Sequence, residues 1–244
     1  MILHYVYDPL CGWCYGAKPL VEAAQQVLPV IAHAGGMMSG ANRQRVSPQL
    51  RDYVMPHDRR IAEYTGQPFG EAYFDGLLRD HSAVFDSTPP IAAVMAAEAI
   101  DRGGLRLLGR LQTAHYVEGR RIADSAVLLE LAMQIGYAQE DFHIAFESVD
   151  SEGHIKASRQ FLAQLGGQGF PTLALEQNGT FQLIDISPWL GKPQAFADWL
   201  QQAIVLDETG KLLHFVLSMV APDSRWIHWL FAFPSKESAQ KFRS

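Results

Sequence analysis

Scarcity defines this sequence first. Its 244 residues include two cysteines, too few for a disulfide scaffold. No run of about 18 or more apolar residues occurs, so no segment reads as a membrane span. Runs of lysine and arginine are missing too. The balance of 20 basic against 26 acidic residues gives a net charge of −6, the reverse of a nucleic-acid-binding footprint. Neither a nucleic-acid nor a membrane partner is expected. A targeting segment is also lacking, because Met1 runs straight into Ile2-Leu3-His4-Tyr5-Val6-Tyr7 without a basic start or a small-residue cleavage site. The expected location is the cytoplasm.

What remains is an ordinary globular composition, 48% apolar and 19% charged. The length suits one large domain, or one domain carrying an insertion. Residues 2–7 read as a buried strand, broken by Asp8-Pro9. From Cys11 to Leu28 the apolar spacing turns helical, with Pro19 expected to kink the helix. Val30 to Ala34 is a short apolar strand ended by Gly35-Gly36. Residues 47–165 then look almost wholly helical, opening at Ser47-Pro48 and again at Ser87-Thr88-Pro89-Pro90. Strand character returns on either side of Asn178-Gly179, a strong short-range hairpin signal. A last helix is expected from Ser187-Pro188 to about Ala203. The order strand–helix–strand, helical block, hairpin, helix implies an α/β unit interrupted by a helical insertion.

The chemistry concentrates at Cys11-Gly12-Trp13-Cys14, where a strand feeds a helix. Helical residues three apart share a face, with Cβ atoms about 5–6 Å apart. Disulfide geometry needs about 3.8 Å, so a bond there opens and closes with little backbone movement. Cys11 stands at the helix N-terminus, where free N–H groups and the macrodipole favour a thiolate, the reactive form. By position Cys11 is the attacking thiol and Cys14 the resolving one. Cys11 is also expected to be the more exposed. Three other readings compete. A zinc site would require two further ligands, and the sequence offers no further cysteine and no closely spaced histidine pair. A static disulfide suits an oxidising compartment, and inert buried thiols do not account for the strand–helix junction. No metal is expected.

The segment Asp8-Pro9-Leu10-Cys11-Gly12-Trp13-Cys14-Tyr15, with Pro19, resembles the DsbA-like branch of the thioredoxin superfamily. Within it the chain looks closest to the cytoplasmic protein-disulfide isomerases and FrnE-like proteins. Two more stretches carry the likeness, Gln168-Gly169-Phe170-Pro171-Thr172-Leu173 and His115-Tyr116-Val117-Glu118-Gly119-Arg120. The resemblance covers residues 1 to about 205 and implies a thioredoxin-like fold with an inserted all-helical subdomain at about 47–165. Residues 206–244 are left as an extension without an assigned role.

By the same resemblance Pro171 is a cis-proline facing the two cysteines, X-Pro being the bond at which cis is accessible. Phe170 would shape the rim over Cys11, and Trp13 would offer an exposed apolar surface to substrate. Lys18 reads as a solvated side chain. One departure stands out: similar exported oxidants place a histidine between the cysteines, whereas here the pair encloses Gly-Trp.

The function expected is a thiol–disulfide oxidoreductase of protein-disulfide-isomerase type, in which Cys11 attacks a disulfide and Cys14 resolves the mixed disulfide. Its partners would be protein or small-molecule thiols and disulfides, glutathione among them. No cofactor is needed, since the electrons reside on sulfur. Two alternatives stand beside it. One is a glutathione-dependent isomerase or transferase of the kappa-class type, for which Cys14 would be superfluous. The other is a non-catalytic thioredoxin-like binding module, which has no use for a reactive Cys11.

Overall fold

The structure, a computed structural model, describes residues 1–208. Of the extension expected at 206–244, all but its first three residues lies outside the described residues. Among the described residues no helix is long and apolar enough to cross a membrane.

β1 (Ile2–Tyr7) lies inside a four-stranded sheet, between β2 (Val30–Ala34) and β5 (Thr172–Gln177), with β6 (Thr180–Ile184) at the edge. β1 pairs parallel with β2 and antiparallel with β5, which forms an antiparallel hairpin with β6. The opening segment and the segment near residue 170 therefore share one sheet. β1 is covered on both faces, which explains its nearly continuous apolar run. Leu3, Tyr5 and Tyr7 face one way, and the Tyr5 hydroxyl donates to the Cys14 carbonyl at 3.3 Å. His4 faces the other way, where its ring packs against Phe161.

α1 (Gly12–Gln25) follows β1 directly and is packed by α8 (Pro193–Glu208), α2 (Pro48–Thr65) and α4 (Gly104–Tyr116). α2 starts where the sequence signals it, with the Ser47 hydroxyl accepting from Leu50 N and Pro48 in the first turn. α3 (Thr88–Asp101), α5 (Ser125–Gln134), α6 (Gln139–Ser148) and α7 (Ser151–Gln164) complete the helical region. α7 returns to pack on β2. Between α2 and α3 the block expected to be helical is broken by short π and 3₁₀ turns over Ala72–Arg79. There β4 (Val84–Phe85) also pairs with β3 (Gln44–Arg45), two strands too short to leave a sequence period.

The hairpin forms as its Asn-Gly signal predicts. Asn178 and Gly179 both have positive φ, at 50° and 76°, the requirement of a tight turn matched to strand twist. The last helix differs from expectation. Ser187-Pro188 opens only a 3₁₀ turn, Ser187–Trp189, and α8 begins at Pro193. Gly191, at φ 75°, turns the chain between them, and Pro193 starts the helix where no N–H partner is needed.

Candidate active site

The site is assembled where β1 hands over to α1. Asp8 makes that turn: its carbonyl accepts from Cys11 N at 3.2 Å and its carboxylate from Leu10 N at 2.8 Å. The same carboxylate accepts from Met37 N at 2.5 Å and from the Ser87 hydroxyl at 2.9 Å. Burial pushes the Asp8 carboxyl up to about 6, although these three donors and Arg159 pull the other way. Asp8 thus ties the end of β1 to the loop after β2 and to the start of α3.

Cys11 is the N-cap of α1, with extended backbone at φ −92°. Its sulfur accepts from Cys14 N at 3.3 Å, the bond a capping side chain makes to the first turn. On its other side the Cys11 thiol donates to the Phe170 carbonyl at 3.3 Å. Cys14 lies one turn deeper, and its sulfur accepts from Asp8 N at 3.5 Å. Both thiols are free. Cys11 is 6% exposed and Cys14 0%, the order that the helix position predicts. The Cys14 thiol is pushed well up, mainly by burial, then by its hydrogen bond with Cys11 and the Cys11 charge.

The Phe170–Pro171 bond is cis. Phe170 presents its carbonyl to Cys11 and lays its ring on Gly35. A Cβ at Gly35 would come within 2.2 Å of that ring, so a larger residue there would displace it. Pro171 is buried beside this contact and does not itself line the neighbouring cavity. Trp13 departs from expectation. It is 7% exposed and belongs to the core around α1, so its indole forms cavity wall and not a protruding surface. α2 is seated against Gly12 at the start of α1, a layer that local sequence does not announce. Lys18 pairs with Glu22 at 3.3 Å on the flank of α1.

Beside Cys11 opens a cavity of about 360 Å³. The thioredoxin-like part contributes Leu10, Cys11, Trp13 and Phe170 to it, and the inserted part contributes Leu50, Val54, Ile61 and Tyr116. Four residues of the site were not singled out from sequence: Asp8, Asp58, Tyr73 and His57. Asp8 had a local signal, an acidic residue in an otherwise apolar run just before Pro9-Leu10-Cys11. Asp58 had none, because His57-Asp58-Arg59-Arg60 reads as a solvated helix face. Asp58 is 5% exposed, and the Tyr73 hydroxyl donates to its carboxylate at 2.7 Å.

Comparison with known proteins agrees with this fold. The family model described as DSBA-like thioredoxin domain matches residues 2–192. No curated protein matches the sequence. Among solved structures, the cytosolic disulfide reductase DsbM from Pseudomonas aeruginosa is 54% identical over 84% of this chain and all of its own, with a TM-score of 0.80. The same protein with GSH aligns at 51% identity and a TM-score of 0.78, over the same shares. A Nitrosomonas europaea protein, inferred to be a protein disulfide isomerase, is 27% identical over 84% of this chain and 98% of its own, with a TM-score of 0.70. The family match spans both halves of the sheet and the helices between them, and with it the chain belongs to the DSBA-like thioredoxin domains and is a thiol–disulfide oxidoreductase.

Proposed function

We propose that the protein works as a disulfide reductase of the cytoplasm, in which Cys11 is the nucleophile and Cys14 the resolving thiol. The observation that carries this reading is the position of the Cys11 sulfur. It caps α1, faces the Phe170 carbonyl and borders a cavity, with Cys14 N 3.3 Å away. Attack by the Cys11 thiolate on a substrate disulfide gives a mixed disulfide and expels the first thiol. In that mixed disulfide Cys11 no longer carries charge, so one of the causes holding the Cys14 thiol protonated disappears. Cys14 then attacks Cys11 and expels the second thiol. Phe170 and Trp13 would shape the substrate side, and Pro171 would hold the Phe170 carbonyl toward the sulfur.

Glutathione is the small thiol proposed as exchange partner, in the reduced form to regenerate the pair or as half of a mixed disulfide. The relative DsbM, known with GSH and described as cytosolic, supports both the partner and the location. Fully covered Cys14 speaks against the kappa-class alternative, because a conjugating enzyme with one nucleophile has no use for it. The test is a redox titration of the Cys11–Cys14 pair in glutathione buffers, followed by reduction of insulin disulfides. A pair that equilibrates with glutathione and reduces insulin is expected. A pair that never oxidises across the whole range would overturn the proposal and leave a binding module.

A further inference from the structure

The cavity beside Cys11 contains a carboxyl that the exchange as described does not use. Asp58 comes from α2, in the inserted region, yet it stands against the first residue of α1. A Cβ at Gly12 would meet its Oδ1 at 2.5 Å. Its Oδ2 is fixed by the Tyr73 hydroxyl at 2.7 Å. Asp58 therefore sits at the mouth of the nucleophile's helix, on the wall of the space a substrate disulfide must enter.

No lysine or arginine lines this cavity among the described residues, so the carboxylate has no cationic partner in the wall. The other groups there able to exchange protons are Cys11 on α1, Tyr53 and His57 on α2, Tyr73 on the following turn and Tyr116 on α4. Burial pushes both Tyr73 and Tyr116 well up, which makes them poor proton donors. Tyr53 is raised by burial as well. His57 is lowered, by burial and then by Arg60, which favours its neutral form. Asp58 is pushed up to about 7 by burial, against the pull of the Tyr73 hydrogen bond. Among the carboxyl and the tyrosine hydroxyls of the wall, Asp58 is the group that holds a proton near neutrality and readily releases it.

We propose that Asp58 is a catalytic residue of the exchange, giving a proton to the sulfur that leaves when Cys11 attacks and taking one from the incoming thiol in the reverse direction. The proposal rests on the Cys11–Cys14 reading above. For a disulfide R–S–S–R′, the Cys11 thiolate forms the Cys11–SR bond while the S–S bond breaks, and R′S⁻ takes the Asp58 proton to leave as R′SH. Cys14 then displaces RS⁻, which leaves as RSH with the proton Cys14 surrenders. Two electrons pass from the cysteine pair to the substrate, and Asp58 ends as a carboxylate. The leverage comes from the surroundings. A thiolate expelled into an apolar cavity lacks the hydration that stabilises it in water, and a poor leaving sulfur departs slowly.

The test varies the leaving group. Reduced protein is mixed with bis(2-hydroxyethyl) disulfide, which expels an ordinary alkyl thiol, or with 4,4′-dithiodipyridine, which expels a stabilised thione. Asp58→Asn keeps the shape and an acceptor for Tyr73. It should slow the alkyl disulfide about tenfold or more at pH 6, and the pyridyl disulfide by no more than about twofold. Tyr73→Phe leaves the carboxyl but removes a bond that favours its ionised form. The pH at which the alkyl reaction loses its acid assistance should then move upward. Equal slowing of both disulfides by Asp58→Asn would mean a purely structural residue and overturns the proposal. So does an unchanged alkyl rate, or a leaving-group effect that appears in His57→Gln instead. Reaction that persists in Cys11→Ser would sink the oxidoreductase reading itself, a separate outcome.

Discussion

The two walls of the cavity are built by different means. Around the cysteines the main chain does the work: Cys11 caps a helix, Cys14 N and the Phe170 carbonyl bracket its sulfur, and backbone amides hold Asp8. Across the cavity the wall is made of side chains projecting from α2 and α4. A site held by backbone geometry keeps its reactive atoms in place through many side-chain changes. A wall of side chains changes shape with each substitution. The two sulfurs thus belong to the thioredoxin-like part, and the insertion supplies the facing side chains, Asp58 among them.

The sharpest way to break this division is to remove the sulfurs one at a time. Cys11→Ser should abolish turnover with any disulfide, whereas Cys14→Ser should react once and stop. Mass spectrometry of the second variant after treatment with oxidised glutathione should find one glutathione attached at Cys11. Attachment at Cys14 in the Cys11→Ser protein would reverse the roles.

A smaller effect is expected where the walls touch. At Gly12 an added Cβ would stand 2.5 Å from Asp58 Oδ1 and 2.9 Å from Ile61 Cδ1. Gly12→Ala should force the walls apart and destabilise by about 1–3 kcal/mol, read as a lower urea midpoint, and disulfide exchange should slow with it. An unchanged midpoint would mean the insertion is not seated on α1 as described.

A further effect lies in the pH dependence of stability. Asp58 moves from its ordinary 3.8 to about 7 in the folded protein, and Asp8 to about 6. The folded state therefore binds more protons than the unfolded chain above about pH 4. The stabilisation from holding each proton is complete below pH 4. It is lost as pH rises through about 6 for Asp8 and about 7 for Asp58. Burial lowers His33 to about 4 and His115 to about 3, and these act in the opposite sense below pH 6.5. The informative quantity is thus a difference. The unfolding free energy of Asp58→Asn relative to the parent should rise steadily between pH 4 and 7. A flat difference would show that Asp58 is not buried against α1.

Much of the sulfur-bearing part was legible in the sequence because its signals are local. The strand before Cys11, the helix after it and the Asn178-Gly179 turn each declare themselves within a few residues. The cis bond at Pro171 followed from the family likeness carried by Gly169-Phe170-Pro171-Thr172. The opposite wall gave no such signal. Asp58 is 47 positions from Cys11 in the chain, and only the seating of α2 against Gly12 brings the two together. The burial of Trp13 also escaped notice, because the motif Cys-Gly-Trp-Cys says nothing of how its indole packs. The 3₁₀ turn at Ser187 mimics a helix start for one turn, and nothing before Gly191 distinguishes it.

The reach of the bonds around Asp8 and Cys11 also bears on how the molecule is made. The reactive pair lies near the start of the chain, but its bonding partners lie far along it. Ser87 is 79 residues beyond Asp8, and Phe170 is 159 residues beyond Cys11. Contacts that close such long loops give nothing back until the chain between has been ordered. During synthesis the cysteines therefore emerge early and bare, and the groups that cover and orient them arrive last. The redox centre is completed by residues far beyond its own nucleophile and not by that nucleophile's neighbours alone.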